Sequence, residues 1–172
     1  MSSYYIYEKV NEITKKYKTR NPFDLADAMD VDVDFADLGG LKGFYIVYKR
    51  NRFVVLNKSL TDTLSGIILA HELGHDILHR HLAESGGLKE SSFFDMKSKP
   101  EMEANIFAAN LLISDKEVKG YCEDGYTAEE MAKDLYVPYP LALIKLNDMN
   151  KRGFELNIPY VPSADFLGER VI

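Results

Sequence analysis

The sequence is poor in cysteine and has no long apolar run, and both shortages limit what kind of protein it encodes. A single cysteine, Cys122, excludes an intrachain disulfide framework, as is typical of a reducing compartment. No apolar run approaches the roughly 18 residues that a membrane-spanning helix requires. The first residues, Met1-Ser2-Ser3-Tyr4-Tyr5, lack the basic and then apolar order of a signal peptide. These shortages predict a cytoplasmic protein that does not bind membranes.

Positive charge is also in short supply. The chain carries 21 Lys and Arg against 27 Asp and Glu, which is a net charge of −6 at pH 7. This balance argues against a broad phosphate-binding surface, so we expect no direct binding to nucleic acid. Apolar residues make up an ordinary globular share of 46%, and 172 residues suffice to bury a core. We therefore predict one domain over residues 1–172.

Apolar spacing and turn residues divide the chain into predicted helices and strands. Helical spacing predicts helices over residues 3–18, 22–29, 60–81, 100–113, 127–135 and 139–151. Runs rich in β-formers predict strands over residues 31–35, 44–48 and 53–56, the last two forming a hairpin across 49–52. A long loop over 83–99, a short turn at 114–117 and an irregular tail over 153–172 complete the chain. The predicted class is α+β, mostly helical with a small antiparallel sheet of about three strands, and the helical pair at 127–150 belongs to the same domain.

One five-residue motif, His71-Glu72-Leu73-Gly74-His75, carries recognisable chemistry. Histidines at positions i and i+4 of a helix share one face, with Cβ atoms about 5–6 Å apart, so both imidazoles can bind one tetrahedral zinc ion. Glu72 can take a proton from a metal-bound water as that water attacks a peptide carbonyl. On a helix, this is the motif of zinc proteases. We predict His71 and His75 as metal ligands, Glu72 as the catalytic base, and a close backbone approach at Gly74.

A hydrolytic zinc site needs a third protein ligand and one open position. The candidates are two histidines and three glutamates, His79, His81, Glu84, Glu101 and Glu103. Glu101 shares one helical stripe with the small residues Ala104 and Ala108, which allow two helices to approach closely, so we assign Glu101 as the ligand. Asn105, on the same stripe, is expected to hydrogen-bond the free nitrogen of a ligating histidine.

Two further residues near this site are assigned to other roles. His79, eight residues after His71, would overshoot the metal on a straight helix, and we expect it to be a hydrogen-bonded packing residue. Glu103 lies about 200° around the helix from Glu101. It stays as the weaker alternative ligand, and we expect it to be a surface carboxylate in the first turn of its helix.

Together the two helices resemble the ImmA/IrrE-type zinc metallopeptidases. The matching stretches are His71-Glu72-Leu73-Gly74-His75 with Leu78-His79, and Glu101-x-x-Ala104-Asn105-x-Phe107-Ala108-Ala109-x-Leu111-Leu112. The resemblance implies a zincin-like metallopeptidase core with a gluzincin-like site, in which His71, His75 and Glu101 bind Zn²⁺ and Glu72 is the base. It also implies a setting among mobile elements and prophages, where short members cleave a partner helix-turn-helix repressor.

A different class of function stays open at this point, a regulatory or DNA-associated sensor with a zinc site and little or no protease activity. Residues 127–148 loosely resemble a helix-turn-helix, but Lys133 and Lys145 are the basic residues between 121 and 150, against six acidic ones. DNA contact there is electrostatically poor, so packing on the core or docking of a repressor is favoured.

A donor for the oxyanion is also expected, and the sequence does not choose among Tyr45, Tyr48, Tyr121 and Tyr139.

Overall fold

The computed structural model describes residues 1–84 and 98–158, and this part of the chain contains seven helices and three strands. Their bounds are α1 Ser3–Tyr17, α2 Pro22–Ala28, β1 Val31–Ala36, β2 Gly43–Tyr48, β3 Asn51–Asn57, α3 Asp62–Glu84, α4 Lys99–Leu112, α5 Asp115–Glu123, α6 Ala128–Asp134 and α7 Tyr139–Lys151. The predicted α+β class is confirmed. Most of the predicted loop over 83–99 and of the predicted tail over 153–172 lies outside the described residues. No helix within the described ranges is both long and apolar enough to cross a bilayer.

The three strands form one sheet in the order β1-β3-β2. β2 and β3 are antiparallel, as the predicted hairpin requires, whereas β1 runs parallel to β3. The prediction of an antiparallel sheet was therefore wrong for β1. Residues 37–42 join β1 to β2 at one end of the sheet. These two strands are not neighbours, because β3 lies between them. The hairpin pattern predicts that β2 pairs with β3, but it does not say which of the two lies beside β1.

Two short elements differ from their predicted form. The hairpin turn consists of Lys49 and Arg50 alone, with positive φ angles of 49° and 69°, as in the type I′ turns that match the twist of paired strands. Residues 115–123 form helix α5 rather than a short turn. Ser114 and Glu117 make both hydrogen bonds of a capping box at its start. The Ser-x-x-Glu pattern was the sequence signal for this helix.

Helices α3 and α4 approach each other closely at Gly74. A Cβ atom at Gly74 would lie 3.1 Å from Ala104 Cα and 3.2 Å from Phe107 Cβ. Ala104 and Phe107 are both fully buried. The expected close approach is confirmed, and it depends on a small residue on each helix. Farther along, α3 is kinked at His79, whose φ and ψ angles are −129° and 15°.

A pair of glycine substitutions on α3 tests this contact. Gly74→Ala is expected to lower the free energy of unfolding by about 1–3 kcal/mol, because the added methyl group meets Ala104 and Phe107. Gly66→Ala is the matched control on the same helix, since its new Cβ would have no neighbouring atom within 4 Å. Alanine is the better helix former, so Gly66→Ala should raise stability by up to about 1 kcal/mol. Urea unfolding followed by circular dichroism measures both, and equal changes in the two variants would contradict a tight contact at Gly74.

The apolar core consists of two adjoining clusters. The larger one contains buried apolar residues of the sheet, of helices α1 to α4 and of one side of α7, and the smaller one lies among α5, α6 and the other side of α7. Leu112 and Val137 pack against both clusters. The metal-ligand candidates all lie on α3 and α4, and therefore beside the larger cluster. That residues 1–172 form a single domain stays a prediction.

Candidate metal centre

Three potential ligand groups from two helices meet where α3 and α4 pack together. His71 and His75 lie one turn apart on α3, and Glu101 lies in the first turn of α4. His71 Nε2 and His75 Nε2 are 3.2 Å apart. The Glu101 carboxylate oxygens lie 3.3 Å from His71 Nε2 and 3.2 Å from His75 Nε2. The structure thus brings together the three residues that the sequence analysis assigned to one ion, and all three are buried.

The donor set and its spacing fit a tetrahedral divalent metal ion. Bonds of about 2.0–2.1 Å at the tetrahedral angle separate two ligand atoms by about 3.3 Å. The observed separations of 3.2 and 3.3 Å match this value. Two imidazoles with one carboxylate form a set that zinc hydrolases use, with the fourth position left for water. Burial raises the pKa of Glu101, but hydrogen bonds with His71 and His75 outweigh burial and hold that pKa well below its usual range, as a ligand carboxylate requires.

Asn105 contacts the first of the two histidines from α4. Its Oδ1 atom lies 2.9 Å from His71 Nδ1, and its side chain is fully buried. An oxygen acceptor at Nδ1 favours the tautomer with the proton on that nitrogen, which leaves Nε2 to bind a metal. The contact is the one expected for Asn105, one turn after Glu101 on the same stripe. Its effect on metal binding stays a prediction.

Glu103 is not the surface carboxylate that its position on the helix predicted. It is 4% exposed, and its Oε2 atom lies 2.9 Å from His79 Nε2. The prediction was wrong because it assumed that α4 has a solvent-facing side, whereas nearly every residue from Glu101 to Leu111 is buried. His79 is itself buried and hydrogen-bonded, as expected. Burial lowers the pKa of His79 to about 4, and the neighbouring His75 lowers it as well.

Glu72 is buried beside the three ligand candidates and faces strand β2. The backbone of Tyr45 lies close enough to the Glu72 carboxylate to lower its pKa. Burial raises the pKa of Glu72 to about 7, and the charge of Glu101 contributes to the rise, while His75 and the Tyr45 backbone oppose it. A carboxylate with a pKa near the working pH is suited to accept a proton and return it. This position is compatible with the general-base role that the motif predicts.

Sequence reasoning did not identify Asp76, the residue after the motif. Its buried carboxylate accepts a hydrogen bond of 2.6 Å from the Tyr45 hydroxyl. It also pairs with Arg52 at 2.9 Å and with Arg80 at 3.0 Å. The cluster ties α3 to β2 and β3, and it thereby holds the strand whose backbone contacts Glu72. An Asp–Arg pair at i and i+4 is ordinary on an exposed helix face, so the sequence contained no specific signal for this role.

Two of the four tyrosines considered as oxyanion donors have hydroxyl groups that are already engaged. Tyr45 donates to Asp76, and burial raises its pKa above the ordinary value. Tyr121 donates to Asp134 of α6, beside the smaller apolar cluster. Neither hydroxyl is free to donate to a substrate carbonyl in this arrangement. Tyr48 and Tyr139 stay predictions of the sequence alone.

Comparison with known proteins gives one family and two relatives. The model of a peptidase family described as the IrrE N-terminal-like domain matches residues 26–147, which include the whole candidate metal centre. The "Uncharacterized immunity region protein 2" of Bacillus phage phi105 is 37% identical over 137 residues, or 79% of this chain and 85% of that protein. The "Metallopeptidase ImmA" of Bacillus subtilis strain 168 is 27% identical over 147 residues, or 84% of this chain and 85% of that protein.

Proposed function

The chain belongs to the peptidase family of the IrrE N-terminal-like domain, as the resemblance of its two motifs predicted, and from that premise we propose that it is a zinc-dependent endopeptidase. One observation carries the proposal. Two imidazole nitrogens and a carboxylate from two helices are 3.2 to 3.3 Å apart, which is the spacing of ligands around a tetrahedral ion. The buried Glu72 carboxylate beside them supplies a proton acceptor.

In this proposal each residue of the site has one chemical task. His71, His75 and Glu101 would hold the zinc ion, which when bound would supply a Lewis acid and a water of lowered pKa. Glu72 accepts the proton of the attacking water and delivers it to the nitrogen of the leaving amine. The Tyr45 backbone lowers the pKa of Glu72 and so favours its ionised form, which accepts protons. Asn105 contacts Nδ1 of His71 and would thereby hold the ring with Nε2 available to the ion.

Strand β2 is the proposed binding edge for an extended substrate. It pairs with β3 and lies at the edge of the sheet formed by the described strands. The backbone of Tyr45 on this strand lies close to the Glu72 carboxylate. A peptide that added to β2 as a further strand would therefore run past the catalytic carboxylate.

The proposed substrate is a helix-turn-helix repressor of a mobile element or prophage. The resemblance to ImmA/IrrE-type peptidases implies such a substrate, and the naming of the phage phi105 relative as an immunity region protein supports it. Direct binding of DNA is disfavoured at the helical pair α6–α7. Lys145 is fully buried, and the exposed Lys133 lies 3.0 Å from the carboxylate of Glu129, so these two lysines do not form a positive surface for phosphate.

The test incubates the zinc-loaded protein with a purified helix-turn-helix repressor of a mobile element or prophage. Mass spectrometry of the fragments is expected to reveal cleavage at one bond, which a zinc chelator stops and added zinc restores. A repressor that stays intact beside a zinc-loaded protein would contradict the proposal and would favour the alternative, a zinc-containing regulatory or DNA-associated protein with little or no protease activity. A mobility-shift assay at low and high salt then tests that alternative directly.

A further inference from the structure

We infer that His79 and Glu103 form a positioning pair that holds the ring of His75 in the orientation needed for metal binding. The inference rests on the proposed metal centre and adds two residues to it. Neither belongs to the group His71, His75 and Glu101, so both act through His75 rather than on the ion.

A continuous line of contacts runs from His75 on α3 to Glu103 on α4. His75 Nδ1, on the side of the ring opposite the ligand atom Nε2, lies 3.3 Å from His79 Nδ1. His79 Nε2 lies in turn 2.9 Å from Glu103 Oε2. The three residues are 4%, 2% and 4% exposed, so bulk water does not compete for these contacts.

The two contacts allow a single arrangement of protons once His75 Nε2 binds a cation. A neutral imidazole that binds through Nε2 carries its proton on Nδ1. His75 Nδ1 therefore donates to His79 Nδ1, which must act as the acceptor. The proton of the His79 ring is then on Nε2 and is donated to the Glu103 carboxylate, which only accepts. Each buried donor meets an acceptor, and the tautomer of His75 is fixed.

Positive charge compensates Glu103 from the other side. Its Oε1 atom pairs with the N-terminal amino group of Met1, and Lys99 Nζ lies 4.0 Å away. Partners of opposite charge reduce the cost of burying a carboxylate.

The two ligating histidines are thus held in different ways. His71 Nδ1 meets the side-chain oxygen of Asn105, whereas His75 Nδ1 meets a histidine that is itself held by a carboxylate. Helical spacing explains the arrangement on α3, because His79 lies one turn beyond His75 and the helix is kinked at that residue. Loss of the pair should therefore affect one ligand and leave the support of the other unchanged.

Packing alone is the competing role for a buried histidine and glutamate. The two roles differ in their effect on the metal. Lost packing lowers the stability of the metal-free and the metal-bound protein alike. A lost positioning contact lowers the affinity for the metal, because a binding-competent ring orientation is populated less often. Zinc affinity is therefore the measurement that separates them.

The experiment measures the zinc dissociation constant of the full chain by competition with a chromophoric chelator. It also measures the rise in Tm when zinc is added. His79→Leu is expected to weaken zinc binding by about 10- to 100-fold and to reduce that rise, because His75 Nδ1 loses its acceptor. His79→Asn keeps an oxygen close to the position of Nδ1 and should restore most of the affinity. Glu103→Gln, nearly identical in shape, should weaken binding by about tenfold and decides the matter if His79→Leu does not fold.

Asn110→Ala is the matched control for a buried polar residue on α4. Asn110 binds Asp148 and Lys145 rather than the histidines. Its loss should lower the Tm of both forms and leave the zinc affinity unchanged. Wild-type affinity in Glu103→Gln, and in His79→Leu where that variant folds, would overturn the positioning pair while leaving the proposed function intact. A wild-type protein that fails to bind zinc would overturn both.

Discussion

Glu72→Gln is expected to lower kcat/KM for cleavage of the repressor by about 100- to 10,000-fold, because an amide cannot accept the proton of the attacking water. The substitution keeps the size and shape of the side chain. The loss should therefore be chemical rather than structural. Initial cleavage rates of zinc-loaded wild-type and variant proteins, compared at equal substrate concentrations, measure it.

Glu101→Gln is the matched comparison, because it makes the same change at a proposed ligand instead of at the proposed base. Glu72→Gln should keep its zinc, since Glu72 does not belong to the ligand group. Glu101→Gln should lose zinc as well as activity, because a neutral amide is a poor ligand beside two imidazoles. Elemental analysis of both variants distinguishes the two losses. Full activity in Glu72→Gln would refute its role as base, and zinc loss in that variant would contradict the ligand assignment.

Asp115→Ala is expected to lower the free energy of unfolding by about 3–5 kcal/mol, because it leaves a buried charge without its partner. Lys145 Nζ lies 2.6 Å from Asp115 Oδ1, and the Lys145 side chain is 1% exposed. Burial lowers the pKa of Lys145 to about 8, and the contact with Asp115 opposes that shift. Arg152 also binds Asp115, at 2.7 and 2.9 Å. Urea unfolding of the metal-free protein measures the loss.

Glu129→Ala is the control for the removal of an ion pair as such. Glu129 and Lys133 are 3.0 Å apart on α6, but their side chains are 66% and 73% exposed. Water screens such a pair, so its loss should change stability by less than about 1 kcal/mol. Similar losses in Glu129→Ala and Asp115→Ala would contradict the importance of burial at Lys145.

Asp115 also predicts a loss of stability in acid. Burial raises its pKa, but hydrogen bonds from Arg152 and Lys145 outweigh burial and hold the pKa well below its ordinary value of 3.8. A carboxyl group with a lower pKa in the folded than in the unfolded state stabilises the fold above the unfolded value, and this contribution is lost as the pH falls below it. The stability difference between wild type and Asp115→Asn should therefore be largest at about pH 6 and shrink below about pH 4. A difference that does not change over this range would contradict an ionised Asp115 as its source.

The sequence by itself determined the residues that are related by the geometry of a single helix. His71 and His75 share a face of α3 whatever surrounds it, because residues four apart always do. On α4, Glu101 and Asn105 could be placed together because the small Ala104 marks the side that approaches another helix. The hairpin and most helix bounds are local in the same sense.

The tertiary structure decided whatever depends on contacts between distant segments. Spacing gives the direction of a side chain from its helix axis but not what lies in that direction, so Glu103 was expected in solvent and is buried against His79. Asp76 reaches Tyr45, 31 residues earlier, and Lys145 reaches Asp115, 30 residues earlier, and neither contact leaves a periodic trace in the sequence. The parallel pairing of β1 with β3 is of the same kind. Burial of a polar group costs free energy unless a partner meets it, and only the packed chain brings that partner into reach.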